Sequence, residues 1–176
     1  MVKTLEKEEV LEMLSQAEDL ELKAIISVLI CTGARVSEVC MLNGKDISSD
    51  DTYIYFNMRV LKKRNDKERR IIRKVNKNNI FMSYFRKWVN QSNIKRDDPI
   101  FEYDRKKVWR EVKLLNPEIT PHTFRHTLAT WMLDKVDMRT AQKRFDWTNL
   151  GTAEIYTHPK DAINTFSIKL DEVLEE

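Results

Sequence analysis

Between Thr52 and Val75 the apolar residues change from helical spacing to strand spacing. Ile54, Phe56, Met58 and Val60 alternate along Thr52–Leu61, a run rich in β-branched and aromatic residues. Successive strand side chains point to opposite faces, so this period of two puts the four on one side. Arg69 to Val75 reads as a second strand, and the polar residues Lys62 to Glu68 join the two. The region is therefore expected to be a β-hairpin with a basic tip.

The rest of the chain reads as helix. An amphipathic helix is expected over Leu5–Gln16 and a more apolar, central one over Leu20–Thr32, stopped by Gly33 in a left-handed turn. A short helix follows from Arg35 to about Leu42, then an Asn43-Gly44 turn. Further helices are expected over Asn78–Gln91, Asp104–Leu115, from Thr120-Pro121, about Met138–Phe145, Gly151–Thr157 and Pro159–Leu174. There is no internal repeat and no low-complexity linker. The expected fold class is mainly α with a small antiparallel sheet (α+β), as a single domain over residues 1–176.

Several functions are excluded at this level. The three glycines, Gly33, Gly44 and Gly151, cannot form the usual phosphate-cradling loop. Cys31 and Cys40 have neither zinc spacing nor a disulfide framework, and read as buried free thiols suited to a reducing cytosol. His122 and His126 are four apart, but Arg125 lies between them and no Glu follows His122, so no metal is expected. No apolar run spans a bilayer; the longest, near Ala24–Cys31, reads as buried helix. The N-terminus lacks the apolar core of a signal peptide.

Charge is unevenly distributed. The net value is only +3, yet Arg59, Lys62, Lys63, Arg64, Lys67, Arg69, Arg70, Arg73, Lys74 and Lys77 crowd one stretch, opposed by Asp66 and Glu68. Both chain ends are acidic. A focused basic block in a near-neutral chain fits a polyanion contact, and equally well a solvated hairpin.

Three polar fragments lie at helix ends: Thr32-Gly33-Ala34-Arg35-Val36-Ser37-Glu38, Pro121-His122-Thr123-Phe124-Arg125-His126-Thr127, and Gly151-Thr152-Ala153-Glu154-Ile155-Tyr156-Thr157-His158. His122 and Arg125, three apart, share a helical face. Each fragment alone is weak, because a helical arginine is usually a surface residue and a tyrosine usually a core residue with a wet tip. Their order makes them specific. The chain resembles the catalytic domain of tyrosine recombinases of the lambda-integrase type, including archaeal and viral integrases. The first fragment matches that family's first arginine motif. His122-Thr123-Phe124-Arg125 matches its His-x-x-Arg motif, continued by His126-Thr127-Leu128-Ala129-Thr130, and Ile155-Tyr156-Thr157-His158 matches its nucleophile motif. The basic block at Lys62 to Arg70 matches the hairpin that carries the family's lysine.

The resemblance implies a three-stranded antiparallel sheet within the tyrosine recombinase catalytic-domain fold. It implies that Arg35, Lys63, His122, Arg125, Trp147 and Tyr156 are catalytic, with Glu38 and His126 supporting them. Lys62, Arg64, Lys67, Arg69 and Arg70 would contact DNA. The sequence departs from the family in three places. Phe145-Asp146-Trp147 replaces Leu-Gly-His, so an indole N–H takes the donor position. Leu61-Lys62-Lys63-Arg64 replaces the usual Gly-Lys-Gly, putting Lys62 and Lys63 on opposite strand faces; with one inserted residue relative to the family pattern, the resemblance points to Lys63. The family's DNA-clamping N-terminal domain is not expected within residues 1–176, either because these are the catalytic part of a longer protein or because the relative is naturally short.

The chemistry fits these residue types. Phosphodiester attack gathers negative charge on equatorial oxygens, which arginine forks match. A tyrosine hydroxyl, pKa about 10, needs nearby cationic charge and a proton acceptor such as His122. Lys63 would protonate the leaving 5′-oxygen. Bond energy would be held in a 3′-phosphotyrosyl link, so no cofactor is expected. The expected partners are double-stranded DNA and, in the synaptic assembly, three further copies as a homotetramer, with the isolated chain monomeric. The tail 159–176 would be exchanged between protomers in that assembly, or pack on its own domain in the isolated chain. The expected location is the cytoplasm, at the nucleoid, or the host cell for a viral protein. Two alternatives are a type IB topoisomerase-like relaxing activity and a non-catalytic, recombinase-derived DNA-binding module. Trp88, Trp109 and Trp131 are expected in the core.

Overall fold

The computed structural model describes residues 3–60, 69–133, 135–145 and 169–174. Among the described residues the elements run α1 (Lys7–Gln16), α2 (Leu20–Thr32), α3 (Val36–Cys40), β1 (Ile47–Ser49), β2 (Tyr53–Val60), β3 (Arg69–Asn76), α4 (Met82–Ser92), α5 (Arg105–Leu115), α6 (Pro121–Leu133) and α7 (Met138–Phe145). Residues 169–174 are also helical.

The centre is α2. Asp19 caps it, accepting from the Glu21 N–H at 2.9 Å. Every residue from Ala24 to Thr32 is buried, so its apolar character on all sides reflects neighbours all round, chiefly α4 and α6. Gly33 ends it at φ 61°, its N–H returning to the Leu29 carbonyl. A Cβ at Gly33 would run into the Phe145 ring, so both the backbone angle and the space require glycine there.

The sheet is antiparallel in the order β1-β2-β3. Ile54, Phe56, Met58 and Val60 are buried, as the alternation predicts. Phe56 meets Phe85 of α4 with ring centroids 5.2 Å apart, joining sheet to helices. On the inner face of β3, Phe56 lies opposite Arg73 and Ile54 opposite Val75. Arg73 thus occupies a core position, 1% exposed, and is not part of a solvated basic face.

Other departures are local. Leu5 precedes α1; its N–H donates to Thr127 Oγ1 at 3.0 Å and its carbonyl accepts from Trp131 Nε1, tying the N-terminal segment to α6. The first turn expected of α4 is instead a polar turn, in which the Asn79 side chain accepts from the Phe81 N–H. The third strand, β1, has only three residues and a polar sequence, too little for a period to register. Trp109 is 50% exposed and not in the core, while Trp88 and Trp131 are half-buried. Both cysteines are free; Cys31 is buried and Cys40 half-buried. Burial pushes both thiols up, Cys40 to about 12, which leaves them inert.

Candidate active site

The turn after α2 sets the site. Gly33 reverses the chain, the Ala34 N–H is held by Thr32 Oγ1 at 3.2 Å, and Arg35 stands at the N-cap of α3. Glu38, one turn into α3, is 1% exposed. Its carboxylate accepts from the Arg35 backbone N–H at 2.9 Å and from Arg35 Nη1 at 2.9 Å. One buried anion therefore fixes both ends of Arg35, whose side chain remains 36% exposed. Both bonds satisfy a carboxylate that burial has removed from water.

On α6, Arg125 points inward and is 3% exposed. Its Nη1 donates to the Gly33 carbonyl at 2.6 Å, and its guanidinium lies 5.4 Å from the Phe145 ring centroid. Arg35 and Arg125 are thus tied to the same turn, one through Glu38 and the other through Gly33.

His122 is exposed on α6 and His126 half-buried one turn along; their rings meet edge to face, centroids 4.4 Å apart. His122 is held below the ordinary histidine value by partial desolvation first, then by the charges of His126, Arg125 and Arg35. His126 is lowered by desolvation and then by Arg125. A neutral imidazole is able to accept a proton.

The sheet supplies Arg69, exposed at the start of β3, and Arg70, whose Nη1 bonds Asp46 Oδ1 at 2.6 Å and the Asn57 carbonyl at 3.1 Å. Asp46 is buried, so Arg70 is anchored at one end of the sheet. Lys62, Lys63, Arg64, Lys67, Trp147 and Tyr156 lie outside the described residues. Among the described residues, no three His, Cys, Asp or Glu side chains cluster to hold a metal, and no helix is long and apolar enough to cross a membrane.

The sequence model of the Phage integrase family matches residues 3–162. This chain belongs to the phage integrase family. Tyrosine recombinase XerA of Pyrococcus horikoshii is 31% identical over 177 residues, covering 92% of this chain and 60% of its own. The crystal structure of XerA recombinase superposes with a TM-score of 0.66 at 25% identity, covering 93% of this chain and 61% of that one. XerH, solved bound to its difH substrate in a pre-cleavage complex, gives 0.64 at 18% identity, over 93% of this chain and 48% of that one. The fold of this family member is the tyrosine recombinase catalytic-domain fold. Its chain spans 60% and 52% of the length of the two XerA relatives from Pyrococcus horikoshii and Saccharolobus solfataricus.

Two features of the site escaped the sequence. The Gly33 carbonyl acts as an acceptor for Arg125, which no residue type announces. Arg73 could have been found, because the alternation of Ile71, Arg73 and Val75 puts it on the face that β2 buries.

Proposed function

We propose that this chain is the catalytic domain of a site-specific DNA recombinase or integrase. Tyr156 attacks the scissile phosphate to give a 3′-phosphotyrosyl intermediate and a free 5′-hydroxyl. Strand exchange follows, and the 5′-hydroxyl of the incoming strand reverses the attack to rejoin the DNA. The observation that carries this reading is the common anchoring of Arg35 and Arg125 on the Gly33–Glu38 turn. Two cations fixed to one rigid turn suit the two non-bridging oxygens of a single phosphate, whose charge rises in the transition state.

In this mechanism Arg35 and Arg125 clamp those oxygens and the Trp147 indole N–H adds a donor. His122, neutral near pH 7, accepts the Tyr156 proton, with His126 packed against it. Lys63 protonates the leaving 5′-oxygen, and Glu38 holds Arg35 in place. Lys62, Arg64, Lys67, Arg69 and Arg70 bind flanking phosphates of duplex DNA; the similar XerH fold was solved bound to its difH substrate, which supports DNA as the partner. The protein acts wherever that DNA lies, in the cytoplasm at the nucleoid or in the host cell. No cofactor enters these steps.

The proposed assembly is a homotetramer in which the tail 159–176 of one copy docks on the next. Leu170 and Leu174, within the described residues 169–174, are buried at 0% and 1% exposed, which supports an apolar docking face there. Exchange would reuse the same acceptor on a neighbour. A nicked suicide duplex, whose released strand diffuses away, tests the reaction. The unaltered chain is expected to form a covalent adduct and Tyr156→Phe none, with DNA binding kept. An adduct of equal yield from Tyr156→Phe would remove that tyrosine from the mechanism. Relaxation of plasmid DNA without strand exchange would favour the topoisomerase alternative.

A further inference from the structure

Arg73 is a charged side chain buried in the core. Its side chain leaves β3 on the core face, and Nη1 donates to the Thr32 carbonyl at 2.9 Å and to the Arg144 carbonyl at 2.6 Å. Thr32 is the last residue of α2, and Arg144 the penultimate residue of α7. Helix C-termini carry carbonyls without intrahelical donors and a partial negative charge, so a guanidinium suits both. One side chain therefore closes two helix ends against the sheet.

Each of these ends leads to a residue of the proposed mechanism. Thr32 is three residues before Arg35, Arg144 is three before Trp147, and β3 follows Lys62 and Lys63 in the chain. We infer that Arg73 is a positioning residue, setting the Arg35 turn, the end of α7 and β3, the strand that follows Lys62 and Lys63 in the chain, in one register without touching DNA. This rests on the recombinase reading. Lysine at 73 keeps the charge but falls one bond short of both carbonyls; methionine removes the charge as well.

The test uses Arg73→Lys and Arg73→Met in three measurements. The first is single-turnover cleavage at saturating protein, on a normal duplex and on one whose 5′-bridging oxygen is sulfur. Sulfur leaves as a thiolate without a proton, so that substrate bypasses the lysine. The second is DNA affinity. The third is amide exchange across 29–38 and 142–150. For Arg73→Lys, exchange is expected to rise in both segments, affinity to hold, and cleavage of the normal duplex to slow roughly 100-fold. The sulfur substrate is expected to lose less, and Arg73→Met to lose more than Arg73→Lys on both. Unchanged exchange in either segment, unaltered cleavage, equal losses on the two substrates, or a loss matching the fall in affinity overturns the inference. If neither variant folds, Arg73 is a folding residue and the inference also fails. Absence of adduct from the unaltered chain would sink the recombinase reading instead, and amide exchange would still decide whether Arg73 makes the tie.

Discussion

Arg35 and Arg125 are anchored to the same turn by opposite means. Arg35 stands at a helix start, over a third exposed, held by a carboxylate that is itself buried. Arg125 is enclosed within the α2–α6–α7 packing, bonded to a backbone carbonyl and facing the Phe145 ring. The difference separates function from stability. A buried guanidinium supports the fold as well as any phosphate it meets, whereas losing the exposed one costs the fold only what its buried partner Glu38 then lacks.

Arg125→Ala is expected to show the largest effect. It removes a buried side chain and leaves the Gly33 carbonyl without that donor, costing about 2–4 kcal/mol of stability. Cleavage should fall at least 100-fold, roughly the loss seen when one transition-state donor is removed. Arg35→Ala should slow cleavage by a similar factor and cost less stability than Arg125→Ala, about 1–2 kcal/mol, because the buried Glu38 carboxylate keeps only the backbone N–H of residue 35. Equal stability losses from the two variants would abolish the distinction.

Gly33→Ala addresses the turn that the two arginines share. Positive φ and the approach of Phe145 together predict a loss of about 1–3 kcal/mol, with the Phe145 ring forced to move. Unfolding midpoints unchanged by this substitution would show that the turn relaxes freely. Glu38→Gln keeps the shape and removes the charge. It should cost about 1–2 kcal/mol and slow cleavage roughly 10-fold, a smaller effect than Arg35→Ala because the guanidinium remains.

The smallest effect concerns pH. The folded value of His122 lies below its unfolded value near 6.5, so on acidification the unfolded chain takes up the proton first. Stability should therefore fall as pH drops through about 6.5 toward the lowered folded value. The effect should be modest because His122 is exposed. Urea titrations at about pH 7.5 and pH 5.5 should differ less for His122→Gln than for the unaltered chain. The same slope in both proteins would assign the effect to other groups.

How much of this was legible in the sequence varied with the kind of signal. The central helix and the hairpin strands were readable because burial on all faces, or on one, leaves a direct pattern of apolar residues. The arginine, histidine and tyrosine fragments were recognisable by order and residue type. The anchoring of Arg125 was not, since its acceptor is a main-chain oxygen 92 positions away in the chain. Nor was Trp109 placed correctly, because an aromatic residue at helical spacing reads as core, whereas α5 leaves it half exposed. In the basic block, composition concealed two different environments: Arg70 is paired with Asp46, and Arg73 lies in the core.

The central claim is that Tyr156 becomes bonded to DNA, and mapping the adduct tests it most directly. After trapping on a suicide duplex, trypsin should release residues 145–160, a peptide with Tyr156 as its sole tyrosine. The account predicts that this peptide carries the nucleotide phosphate, attached at Tyr156. The phosphate on a peptide containing Tyr53, Tyr55, Tyr84 or Tyr103 would contradict it.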